Sequence, residues 1–291
     1  MTEHQKVLAQ IEPLNGFAHL AELPCLRLAL GDATAVISLY GAQLLSYRPD
    51  GQTELLYLSP TAEWRNQTPI RGGVPVCWPW FGPAAPGFSQ NNPSLPSHGL
   101  VRTQLWTVTQ QQVDADQVTL SLQLALPAQL CFHQGLSVCL TVVLTLDSLR
   151  IELHSPSQPL QQAALHSYFS VQQLDKVQVS PLKGHYLDKV TGSRAEQHSD
   201  IVQFEAETDR VYLDTAAELS LITGQYQLQL RQQGHDGSVL WNPWQDKAKR
   251  MADLPDLGYL DFVCVETARL DLKDQSPLCL IQEIRYCPQR E

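Results

Sequence analysis

Apolar and polar positions alternate along much of this chain. In GLSVCLTVVLTL (residues 135–146), Leu136, Val138, Leu140, Val142, Leu144 and Leu146 share one face. Ser137, Cys139, Thr141, Val143 and Thr145 share the other. QVTLSLQL (117–124) and YQLQLRQ (226–232) repeat the pattern. A period of two sends successive side chains to opposite faces, so these segments predict half-buried antiparallel strands with one face on a core. Further strands are expected at 25–30, 34–47, 103–109, 161–171, 201–205, 211–213, 262–266 and 279–286. Helical signals are few. Ser59 with Pro60 could start a short helix in SPTAEW, and WQDKAKRMADL (244–254) could give two or three turns. Many short strands without βαβ alternation predict an all-β protein, an antiparallel sandwich or barrel with few short helices. Neither a repeat nor a Gly/Ser linker divides the chain, so residues 1–291 are expected to form a single domain.

The segment 59–97 lacks strand patterning, and loops of that length commonly line a site. Trp78, Trp80 and Phe81 seek burial, and Pro69, Pro75, Pro79 and Pro83 stiffen the backbone, so an ordered, rigid loop is expected. Such a loop is a good place for a ligand.

Composition narrows the partners. Thirty acidic against twenty basic residues give a formal charge of −10. That charge disfavours nucleic acid and anionic membrane surfaces, and an anionic ligand would need a local basic pocket. The N-terminal MTEHQKVLAQIEPLNG has no apolar signal core, and no apolar run is long enough to span a bilayer. Seven scattered cysteines, several inside strand-like runs, suit buried thiols in a reducing cytoplasm. Cys131 and His133 lack a second ligand pair, so no metal is expected. GxSxG, Walker and dinucleotide-binding glycine runs are all missing.

Within this frame a few polar residues stand out. His166 lies in the largely apolar AALHSYFSV, and reads either as a hydrogen-bonded core histidine or as a general acid or base. Glu266 follows Phe262, Val263, Cys264 and Val265, and strand alternation puts it on one face with Cys264 and Phe262. It reads as a solvated strand end, a salt bridge to Arg269, or a carboxylate with a tuned pKa. Arg71 and Arg102 present planar donor forks suited to phosphate or carboxylate, or else they bond loop carbonyls. His98 faces a ligand or braces a loop, and Ser97 beside it stabilises a turn or adds a hydrogen bond. Asp209 taken alone is an ordinary acidic loop residue. Trp78, Trp80, Trp241 and Trp244 read as core, or as flat faces for sugar C–H groups.

IRGGVPVCWPWFGP (70–83), PSHGLVR (96–102), ALHSYFSV (164–171), ETDRVY (207–212), WNPW (241–244) and CVETARL (264–270) resemble the motifs of the hexose-6-phosphate mutarotases, in family order. These glucose-6-phosphate 1-epimerases are a branch of the aldose 1-epimerase superfamily. The resemblance implies a large antiparallel β-sandwich of the galactose mutarotase type. It implies catalysis by His166 and Glu266, sugar contact by Asp209 and His98, and phosphate contact by Arg71 and Arg102. Some members carry glutamine where this chain has Ser97, so a water would fill the gap between this shorter side chain and substrate. Also implied are a sugar-phosphate substrate, no cofactor and a monomer. The alternatives are an epimerase of unphosphorylated aldoses and a non-catalytic sugar-phosphate binder. The implied chemistry places an imidazole and a carboxyl facing each other across a pyranose.

Overall fold

The computed structural model describes residues 8–90, 92 and 94–288. The N-terminal segment read for a signal therefore lies partly outside the described residues. Two eight-stranded antiparallel sheets pack face to face, and a four-stranded meander over Ala9–Arg48 closes one side. The all-β expectation holds.

The two large sheets differ in how they meet water. The back sheet carries the strands Val118–Leu126, Leu136–Leu144, Ser148–Ser155, Tyr226–Gln233 and Leu278–Pro288. Leu136–Leu144 alternates buried and half-buried residues without a break, which is the pattern of a sheet wet on one side. The front sheet carries Gly184–Asp188, Thr208–Leu213, Gly237–Asn242, Phe262–Arg269 and the short strands Ala163–Leu165 and Val76–Cys77. Every residue of Gly237–Asn242 and Phe262–Arg269 is buried. Their inner face (Leu240, Val263, Val265) joins the main core, while loops cover the outer face. That outer face holds Tyr57, Tyr168, Trp241, Phe262 and Cys264 in one aromatic-rich cluster, and Cys77, Val211, Val239 and Ala268 in another.

Several expected boundaries move. The stretch 34–47 is two strands, Ala33–Ser38 and Leu44–Arg48, joined by a turn with Gly41 at φ +74°. The strand expected at 103–109 is Thr107–Val113, because the chain turns at residues 102–105 and the Trp106 indole N–H donates back to the Val101 carbonyl at 3.3 Å. Around 201–205 only Val202 pairs, bridging Val179. SPTAEW forms a turn instead of a helix. Ser59 spends its hydroxyl on the Asp253 carbonyl at 2.7 Å, not on a cap. The helix at 244–254 stops at Ala248, after which tight turns tuck Met251 and Leu254 against the aromatic cluster. One short helix, Pro86–Ser89, lies inside the long loop.

Candidate active site

His166 sits where a ladder is interrupted. Leu165 pairs with Thr267 and Tyr168 with Cys264 on the strand Phe262–Arg269, but the two residues between make no regular pairing. The same register carried through the gap sets His166 opposite Glu266 and Ser167 opposite Val265. The His166 backbone N–H turns instead to the Pro75 carbonyl at 3.0 Å. Both side chains then meet on the outer face: His166 Nε2 lies 3.4 Å from Glu266 Oε1. The structure thus corrects the picture of two groups separated by a sugar ring. They touch, and a ligand has to lie against both from one side.

The pair is deeply placed, with His166 8% and Glu266 1% exposed. Glu266 makes no salt bridge to Arg269, which binds Asp274 and loop carbonyls instead. His166 Nδ1 and Glu266 Oε2 have no protein partner. Burial pushes the His166 pKa well below its usual 6.5, and the neighbouring His98, Arg71 and Arg102 add to this. Burial pushes the Glu266 pKa well above 4.5, assisted by Asp209. Both directions favour a neutral pair that shares one proton.

Tyr168 stacks on the His166 ring, centroids 4.9 Å apart at 10°, and Trp241 meets it edge-on at 5.9 Å. Asp209 lies on the strand Thr208–Leu213, not in a loop, and pairs with Trp241 on the next strand. Burial raises its pKa, while Lys189, 3.5 Å away, opposes that rise.

The rigid loops supply the other wall. A cavity of about 280 Å³ is lined by Arg71, Ser97, His98, Arg102 and His166, together with Tyr168 and Asp253. Three stretches far apart in sequence, around Arg71, Ser97–Arg102 and His166, thereby share one space. A second cavity of about 350 Å³, lined by Phe81, Gly82, Lys189 and Val211 among others, adjoins Asp209 through Lys189. Gly99 fixes the approach of the two loops. At φ +86°, its added Cβ would stand 1.9 Å from the Trp78 carbonyl oxygen. His98 also has φ +64°, and its N–H bonds the Gly82 carbonyl at 2.8 Å. The Gly82 N–H donates to His98 Nδ1 at 3.3 Å, so the neutral ring carries its proton on Nε2, as a donor. Burial first, then Arg102, Lys189 and Arg71, pushes the His98 pKa down to about 3, so that ring is neutral.

Arg71 is held on three sides. Its Nε and Nη2 reach Asp253 Oδ2 at 3.1 and 2.9 Å, and Nη1 donates to the Tyr168 hydroxyl at 2.9 Å. Burial works against its charge, but Tyr168 and Asp253 outweigh burial and keep the guanidinium protonated. Arg102 Nη2 donates to the Ser97 carbonyl at 2.5 Å. Ser97 itself is exposed. Trp78 and Trp80 are core, and Trp241, also buried, lies in the aromatic cluster against the His166 ring. Sequence reasoning missed Tyr168, Lys189 and Asp253. Only Tyr168 carried a local hint, two positions from His166 in a strand-like run.

Among the described residues one group offers three potential metal donors within reach of one another: Glu152, His154 and Cys279. It lies on the back sheet, away from His166, and Arg150 already holds its carboxylate. No helix among the described residues is long and apolar enough to cross a membrane.

Residues 24–276 match the sequence pattern of the family Aldose 1-epimerase. A protein of Escherichia coli K12, provisionally named a glucose-6-phosphate 1-epimerase, is 36% identical over 96% of both chains. The crystal structure of a provisionally named mutarotase from Salmonella typhimurium superposes with a TM-score of 0.85 at 30% identity, covering 99% of this chain and 96% of that one. A galactose mutarotase-like protein of Clostridium acetobutylicum shares the fold at 12% identity, with a TM-score of 0.66 over 98% of this chain and all of the other. The sandwich is thus of the galactose mutarotase type, and the chain belongs to the aldose 1-epimerase family of isomerases.

Proposed function

We propose that this protein interconverts the α and β anomers of a hexose 6-phosphate, with glucose 6-phosphate the first candidate. The observation that carries the reading is the contact of His166 with Glu266 beside a cavity lined by Arg71 and Arg102. Mutarotation takes a proton from the anomeric hydroxyl and gives one to the ring oxygen. Both oxygens are bonded to the same carbon, so an acid and a base in mutual contact can serve them together.

Glu266, as carboxylate, accepts the C1 hydroxyl proton while His166, as imidazolium, donates to the ring oxygen. The C1–O5 bond breaks to give the open aldehyde. Rotation about C1–C2 presents the other face, and closure returns both protons to where they began. Each positioned transfer contributes about 10²–10⁴-fold. The resting neutral pair already holds the one proton this needs; it has only to cross the 3.4 Å contact. Asp209 and the Nε2–H of His98 hold ring hydroxyls. Arg71 and Arg102 grip the phosphate, so binding energy far from C1 fixes geometry at C1. Exchange spectroscopy on equilibrated anomers tests the reading directly. Glucose 6-phosphate should exchange much faster than free glucose, and equal rates would favour an aldose epimerase without phosphate preference.

The pair also sets a pH dependence. Acid adds a second proton by charging an imidazole whose folded pKa lies below 6.5. Alkali removes the shared proton from a carboxyl whose folded pKa lies above 4.5. The profile of kcat/KM should be a bell whose acid limb falls below pH 6.5. Free aldose, which does not titrate in this range, is the control substrate. An acid limb above 6.5 with that substrate would contradict the depressed imidazole.

A further inference from the structure

The residues that follow His166 and Glu266 are polar and face the other way. Ser167 and Thr267 are fully buried between the two sheets. Gln282 and Gln232 of the back sheet meet them there, 1% and 2% exposed. Ser167 Oγ donates to Gln282 Oε1 at 2.5 Å. Gln282 Nε2 donates to Thr267 Oγ1 at 2.9 Å and to the Val265 carbonyl at 3.3 Å. Thr267 Oγ1 donates in turn to Gln232 Oε1 at 2.9 Å. Amides and hydroxyls in an otherwise apolar core are costly unless paired, and here each finds a partner. Packing alone gives no reason for a chain to place them there.

Their position supplies one. The strand ladder is broken at His166 and Ser167: the His166 N–H turns to Pro75, and the Val265 N–H still donates to the Ser167 carbonyl at 3.2 Å. Gln282 bonds Ser167 on one side of the lapse, and Val265 and Thr267 on either side of Glu266. We propose that Gln282 is a positioning residue. One amide, reaching across the core, links the Ser167 hydroxyl to the Thr267 hydroxyl and the Val265 carbonyl, reinforces the backbone bond between the two strands and so sets the separation of His166 and Glu266. This rests on the reading of that pair as the acid and base of anomer exchange.

The test compares the wild type with Gln282→Leu and with the triple variant Gln282→Leu/Ser167→Ala/Thr267→Val. The single change leaves the buried Ser167 hydroxyl without a partner and takes from the Thr267 hydroxyl its donor, and should lower the melting temperature. The triple change removes the hydroxyls as well and should restore it. Gln232 keeps a donor in the Ser238 hydroxyl at 3.0 Å. If Gln282 positions the pair, kcat in the stable triple variant stays about 10–100-fold low with KM within about twofold. The His166 ring resonances should also move in the same variant. Gln282→Met/Ser167→Ala/Thr267→Val, with a side chain closer in volume at position 282, provides a second stable background with the same expected kcat loss. A stable triple variant with wild-type kcat overturns the proposal and leaves the function intact. A wild type that does not exchange anomers sinks both.

Discussion

Glu266→Gln should remove most anomer exchange while making the protein more stable. The carboxyl is 1% exposed, and burial and Asp209 together raise its pKa. A raised folded pKa means the native state holds the proton to higher pH than the unfolded chain does. Its contribution to stability is therefore full below about pH 4.5 and is lost as pH rises through the folded value. Glutamine keeps the shape and offers a hydrogen-bonding amide in place of the carboxyl but does not ionise, so the variant escapes that loss. Its melting temperature should exceed the wild type's at pH 8 and match it more closely at pH 5. Activity should fall about 10²–10⁴-fold, the value of one positioned proton transfer. A structural role for Glu266 predicts the reverse: lower stability and retained exchange. Measuring both quantities on one preparation separates the two.

How much of this was readable in the chain follows from which faces are wet. Strands such as Leu136–Leu144 have a core side and a solvent side, so alternation is written in their residues. The central front-sheet strands Gly237–Asn242 and Phe262–Arg269 are buried on both faces and show no such rhythm. Glu266 could be flagged there as an expensive carboxylate, but its partner could not be derived, because His166 approaches from 100 residues away through a lapse in pairing that leaves no local pattern. The motifs that resemble the mutarotases supplied that pairing. Asp253 was illegible for a similar reason. It meets Arg71 across 182 residues, from a turn whose course depends on burying Met251 and Leu254. Gln282 was hidden by alternation itself: a glutamine on the inner face of a strand reads as an error until Ser167 and Thr267 are found opposite it. Local rules thus reached the architecture and the chemistry-bearing residue types. The contacts that turn them into a site are long-range.

Removing the loop arginines should separate phosphorylated from free sugar. Arg102→Ala is the cleaner change, since its only hydrogen bond among the described residues is to the Ser97 carbonyl. Arg71→Ala also strips Asp253 and Tyr168 of their partner, so Arg71→Lys is its companion, keeping the charge and losing the fork. A charge-assisted hydrogen bond is worth about 1.5–3 kcal/mol, so each alanine should cost roughly 10–150-fold in kcat/KM on glucose 6-phosphate. On free glucose the loss should stay within about twofold, because no phosphate contact is there to lose. The arginines have a second effect in the same direction. After burial, Arg71 and Arg102 are among the groups that hold the His166 pKa down. A bound phosphate offsets those two cations and so lets the imidazole take the proton it must donate to the ring oxygen. On the proposed reading, phosphorylated substrate should therefore gain in kcat as well as in binding, and the alanine variants should lose both on it. With free sugar they relieve the imidazole of positive neighbours, so the acid limb of the pH profile should move upward. Equal losses on both sugars, with an unmoved limb, would place the phosphate elsewhere.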